Sequence, residues 1–137
     1  MAKRNRQVVY LDMDGTIADL YGQADWLKAL RTEQTGLFLA CEPFLTQEEL
    51  LQYFPVEEYE LRICSMTPKD ASCEYCLQVI QEKNDWLDKY FPVITHRVYM
   101  KYGHNKNLRN SYNHMLVDDN ESIRQSYKGI ALEPFWL

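Results

Sequence analysis

Asp12 and Asp14 stand two residues apart in Val8-Val9-Tyr10-Leu11-Asp12-Met13-Asp14-Gly15-Thr16, where an apolar, β-favouring run gives way to a glycine. Two carboxylates held at the end of a strand can converge on one small volume, which is unfavourable unless a cation or a shared proton relieves the repulsion. Magnesium, a hard cation that takes carboxylate oxygens, is the natural relief. A second apolar run, Met115-Leu116-Val117, also ends in acids, Asp118 and Asp119. Ser65 closes a third, Glu60-Leu61-Arg62-Ile63-Cys64-Ser65. Brought together, such groups form a phosphoryl-transfer set. Two or three carboxylates hold magnesium, magnesium and a lysine offset phosphate charge, and a hydroxyl orients one phosphate oxygen. One carboxylate is then free to attack phosphorus, giving an aspartyl-phosphate, while another protonates the leaving oxygen.

The elements that must position these groups alternate along the chain. The run before Asp12 reads as a strand buried on both faces, as a parallel sheet requires. Residues 60–65, 93–99, 115–117 and 130–132 read as further strands. Between them the spacing predicts a helix through Trp26, Leu27 and Leu30, with Asp25 as a candidate cap and Gly36 as its stop. A short helix opens at the capping box Thr46-Gln47-Glu48-Glu49, a longer one runs from Lys69 to Tyr90, and another spans 120–128. A helix after Asn105 is compatible with the polar stretch 101–113. The alternation implies an α/β, three-layer Rossmann-like fold with a mainly parallel sheet. If strands one, two and four lie side by side, their carboxyl ends gather Asp12, Asp14, Ser65, Asp118 and Asp119 where open α/β sheets bind ligands. Residues from about 20 to 57 read as a small insert over that site. Its aromatics Trp26, Phe38 and Phe44, with Tyr21, either stack a nucleobase or form the insert's own core.

At 137 residues the chain is one domain's worth, and 46% hydrophobic with 26% charged residues is ordinary for a soluble globular protein. A formal charge of -5 argues against duplex nucleic acid as partner, while leaving room for a small anionic substrate met by a local cation. The start, Met1 to Gln7, is basic but leads into a strand rather than a leader's apolar segment, and no run reaches transmembrane length, so a cytoplasmic protein is expected. Cys41, Cys64, Cys73 and Cys76 lack the density of a disulfide scaffold. Cys73 and Cys76 form a single C-x-x-C that, with His96, His104 or His114, is a minor candidate for zinc.

The motif Asp12-Met13-Asp14-Gly15-Thr16 resembles the D-x-D-G-T motif of haloacid-dehalogenase-type phosphatases, and the other motifs occur in that family's order. Ser65 is similar to the second motif, Lys106 sits where the third motif's lysine is expected, with Lys101 as rival, and Asp118-Asp119 is similar to the fourth. The resemblance implies that Asp12 is nucleophile and metal ligand. It makes Asp14 the acid and base, with its main-chain carbonyl on the metal. Ser65 and Lys106 would hold the phosphoryl group, and Asp118 and Asp119 would complete a magnesium site. Thr16 and Thr67 join as substrate contacts.

Within that superfamily, three segments are similar to the 5′(3′)-deoxyribonucleotidases: Ile63-Cys64-Ser65 before a proline, Glu82-Lys83-Asn84-Asp85-Trp86-Leu87, and Phe38-Leu39-Ala40-Cys41-Glu42-Pro43. Met66 and Thr67 add a residue before Pro68, and the insert is shorter than those enzymes' helical cap. The implied activity is magnesium-dependent dephosphorylation of nucleoside, above all deoxyribonucleoside, monophosphates. Alternatives are a 3′-phosphatase acting on nucleic-acid ends and a catalytically silent nucleotide-binding protein. A second subunit over the site is compatible with so small an insert.

Overall fold

Strand β1 (Gln7–Leu11) is central because both of its faces are covered, Val9 and Leu11 being wholly buried on one and Tyr10 buried on the other. In the computed structural model, which describes residues 5–137, it is flanked by β4 (Tyr59–Met66) on one side and β6 (Met115–Val117) on the other. Strand β5 (His96–Met100) lies outside β4, and β7 (Ile130–Leu132) outside β6. Every neighbouring pair in this five-stranded sheet is parallel. Residues 1–4 of the basic start lie outside the described residues.

The chain moves outward from β1 through β4 to β5, then returns to the other side of β1 as β6. Connections therefore leave β1 and β6 in opposite directions, and the crevice at their carboxyl ends is the ligand position of such sheets. The register pairs Leu11 with Val117, so the residues that follow them, Asp12 and Asp118, emerge side by side.

One sheet face carries Val9, Leu11, Leu61, Ile63 and Val117. It packs against Val79, Trp86 and Leu87 of α3 (Cys73–Tyr90), and against Leu37, Phe38, Leu50 and Phe54 from the segment between β1 and β4. The other face, with Tyr10, Cys64 and Leu116, is covered by Leu108, by Ile123 of α4 (Glu121–Ser126) and by Tyr127 just after it. This is the α/β class with a parallel sheet that the alternation implied. No helix among the described residues is long and apolar enough to cross a membrane.

The region between β1 and β4 departs most from expectation. A two-stranded antiparallel ribbon, β2 (Ala18–Asp19) with β3 (Glu42–Pro43), pins both ends of the loop that carries α1 (Trp26–Arg31). Asp25 does not cap α1; it is left-handed and makes no side-chain bond to the helix. The helix ends at Arg31 and not near Gly36, because Glu33 turns left-handed and spends its carboxylate on Ser72, accepting from its amide at 3.0 Å and its hydroxyl at 2.6 Å. The capping box of α2 (Gln47–Tyr53) forms as read: Thr46 Oγ1 accepts from the Glu49 amide, and Glu49 Oε1 accepts from the Thr46 amide.

Two further boundaries differ. The third strand starts at His96, since Ile94 is wholly buried and its amide is tied to Phe91 in a turn. No α-helix forms between Asn105 and β6; the Asn105 side chain accepts from the Asn107 amide, a local turn that competes with helix, and a 3-10 turn forms at Ser111–Asn113.

Candidate active site

Lys106 lies at the centre of the crevice, its side chain 1% exposed. Its Nζ donates to Asp12 Oδ1 at 2.9 Å and to Asp118 Oδ2 at 2.7 Å, bridging the ends of β1 and β6. Thr16 Oγ1 donates to Asp12 Oδ2 at 3.0 Å and accepts from the Asp119 amide at 3.2 Å, so it fixes the first acidic motif against the last. Asp118 Oδ1 accepts from the Asn120 amide. Gly15 is required here: its φ is +81°, and a Cβ would collide with the Asp119 carboxylate.

Asp12, Asp118 and Asp119 each offer a carboxylate oxygen, and the three oxygens lie within 4.8 Å of one another. Hard oxygen donors at that separation suit one divalent cation. Among the described residues Lys106 is the one ammonium paired with these carboxylates, so ionisation of all three would leave two negative charges uncompensated.

The Asp14 carboxylate stands apart from this group. Its Oδ2 accepts at 3.0 Å from Nζ of Lys83, a residue of α3. Lys83 also donates to Ser65 Oγ at 2.7 Å and to the Met66 carbonyl at 2.9 Å. Ser65 is therefore wholly buried and bound from below, and it does not line the cleft.

The cleft itself encloses about 300 Å³. It is lined by the charged groups Asp12, Asp14, Lys106, Asp118 and Asp119, by Thr67, Lys69 and Tyr102, and by the aromatic side chains of Tyr21, Trp26 and Phe38. The Tyr21 and Trp26 rings meet edge to face at 4.8 Å. Phe44 is not part of the cleft; it packs edge to face on Phe135 at 5.2 Å. Thr16 is wholly buried and does not line the cleft either, so it is a positioning group and not a substrate contact. Lys101 is exposed and outside the cleft. Cys73 and Cys76 lie in the first turn of α3, and no histidine joins them in a group of three metal-ligating side chains among the described residues.

Burial by itself would raise the Asp12 carboxyl, yet Lys106, hydrogen bonds from its neighbours and more distant Lys83 hold it below the usual range. Asp14 goes the other way, burial and the Asp12 charge outweighing Lys83. Asp118 is raised as well, by burial and by Asp12 against the pull of Lys106. Asp119 is pushed up to about 8 by desolvation of its carboxyl and by its hydrogen bond and charge repulsion with Asp12, Asp118 adding to the repulsion. Lys106 is raised, its two carboxylates overriding burial. The cluster thus retains a proton on its last carboxylates while Asp12 stays ionised.

Lys83 was not among the site residues read from the sequence. Its signal was present: Val79, Glu82, Lys83, Trp86 and Leu87 are all buried at i, i+3, i+4, i+7 and i+8, so two charged residues occupy the core-facing stripe of α3. Lys69 and Tyr102, which both line the cleft with the lysine Nζ 5.9 Å from the tyrosine ring centroid, carried no such signal. Compared with known proteins, the chain matches no family model and no curated protein.

Proposed function

We propose that the protein is a magnesium-dependent phosphomonoesterase of the haloacid-dehalogenase type, acting on nucleoside and above all deoxyribonucleoside monophosphates through an aspartyl-phosphate. The observation that carries this reading is the group of side chains lining the cleft in which Asp12, held ionised by the buried Lys106, converges with Asp118 and Asp119 so that one oxygen of each lies within 4.8 Å of the others. The sheet topology, with the crevice at the ends of β1 and β6, supports the same family.

Asp12 attacks phosphorus; Lys106 keeps it ionised and meets the charge of the phosphoryl oxygens. Asp14, raised but at the cleft surface, gives a proton to the leaving oxygen and later takes one from water. Thr67, which lines the cleft as Ser65 does not, would supply the hydroxyl of the second motif on giving up its 3.4 Å bond to the Met100 carbonyl. Trp26 and Phe38, with Tyr21, offer aromatic surface to a base. Asp12, Asp118 and Asp119 would hold magnesium, which supplies charge neutralisation at the phosphoryl group.

Phosphate release from 5′- and 3′-mononucleotides with magnesium, lost in EDTA and reduced at least about 10³-fold by Asp12→Asn, is the expected result. One observation favours a second reading. The cleft shares Leu27, Leu30, Pro68 and Lys69 with an adjoining groove that carries Arg31 beside Glu33 and Asp70, which gives room, without net positive charge, for a longer substrate such as a 3′-phosphorylated nucleic-acid end. Faster release from 3′-phosphorylated oligonucleotides than from mononucleotides would replace the first substrate class with the second.

A further inference from the structure

Lys83 is a buried charge with no direct part in the reaction just described. Its side chain is 1% exposed, and an ammonium in such a place is costly unless fully paired. Its three N–H groups go to Asp14 Oδ2, Ser65 Oγ and the Met66 carbonyl, which uses every donor it has. The Phe38 ring lies 4.9 Å from Nζ. The preceding residue, Glu82, holds that ring's loop by accepting from the amides of Gly36 at 2.9 Å and Phe38 at 3.2 Å. Lys83 does not line the cleft, so it reaches no phosphate and acts only through its partners.

The consequence falls on Asp14. Its Oδ2 is taken, whereas Oδ1 is buried and has no hydrogen-bond partner among the described residues. Asp14 itself lines the cleft. We infer that Lys83 is a positioning residue that, by holding Asp14 Oδ2, fixes the carboxyl from which the leaving oxygen of the substrate takes its proton. This rests on the phosphomonoesterase reading. In the first step a carboxylate oxygen of Asp12 bonds to phosphorus, the ester P–O bond breaks, and the leaving oxygen takes the proton of the Asp14 carboxyl. In the second a water oxygen bonds to phosphorus, its proton passes to the Asp14 carboxylate, and the bond between phosphorus and Asp12 breaks to release phosphate. Without Lys83 the Asp14 carboxyl is free to rotate, and proton delivery to the leaving oxygen suffers.

The signature is a dependence on the leaving group. A nucleoside alkoxide needs the proton, whereas p-nitrophenolate leaves without it. With the full chain and magnesium, Lys83→Met should lower kcat/KM for a nucleoside monophosphate about 10²-fold or more, and for p-nitrophenyl phosphate less than about 10-fold. Because Lys83 acts through Asp14, adding Lys83→Met to Asp14→Asn should cost less than about 3-fold beyond Asp14→Asn alone. That comparison needs no folded Lys83→Met protein, since the double variant removes both members of the buried pair. Equal losses on both esters, no loss on either, or a further loss above about 10-fold in the Asp14→Asn background would overturn the role of Lys83 alone. If the unmodified protein releases phosphate from neither ester, the phosphomonoesterase reading falls, and the role of Lys83 with it.

Discussion

Gly15 shows how little freedom single residues have at this site. It combines a left-handed φ with the close approach of the Asp119 carboxylate, so no other residue fits without moving one of the proposed ligands. Gly15→Ala should destabilise the protein by about 1–2 kcal/mol from backbone strain, with a further loss where Asp119 is displaced. Urea unfolding measures the first effect and magnesium titration the second; unchanged magnesium affinity would mean that Asp119 is not a ligand. The acids themselves were visible in the sequence because an apolar strand that ends in carboxylates is anomalous on its face, twice over, at Asp12 and at Asp118. The partners of those acids were less visible. Lys106 and Lys101 differ by five positions in a polar stretch, and only the folded path of the loop turns one inward. Lys83 reaches Asp14 from 69 residues away, a contact created by packing α3 on the sheet.

Elements whose ends carry local chemistry could be read closely, and those shaped by distant contacts could not. The capping box of α2 is a four-residue pattern that works wherever it stands, and Asn120 caps α4 by accepting from the Ile123 amide in the same local way. By contrast, α1 is cut short because Glu33 is claimed by Ser72 from the start of α3. The β2–β3 ribbon comprises two residues a side, too short to give any alternation. Thr46→Ala tests the local case. It removes one side of the capping box far from the cleft floor, so it should lower stability by about 1 kcal/mol in urea while leaving phosphate release unchanged. A loss of activity without a loss of stability would tie α2 to the site, contrary to its place in the fold.

For the molecule as a whole, the parallel sheet gathers acids at the carboxyl ends of its central strands, and the charge gathered there should govern stability. Asp119 ionises near its ordinary value, about 3.9, in an unfolded chain, but only near 8 in the folded, metal-free protein. Between those values the folded state holds the extra proton, so stability without metal should fall as pH rises from about 4 to about 8 and then level off. Asp12, held low, contributes in the opposite sense and only at more acid pH, where its stabilisation is lost as it protonates. The proposed magnesium would need the ionised form, so its affinity should rise with pH over the same window. Melting temperatures at pH 6 and pH 8, with magnesium and with EDTA, should show the larger metal-induced increase at pH 8. An increase of the same size at both would contradict the placement of Asp119 among the ligands.

The most direct measurement of the central claim is inorganic phosphate release from a panel of 5′- and 3′-mononucleotides, 3′-phosphorylated oligonucleotides and small sugar phosphates, with magnesium or EDTA, for the unmodified protein and Asp12→Asn. Magnesium-dependent release from a nucleotide subset, lost in the variant, is the result expected of a phosphomonoesterase with Asp12 as nucleophile. Release that persists in Asp12→Asn would contradict that nucleophile, and no release from any substrate, with nucleotides still bound, would make the protein a nucleotide-binding module.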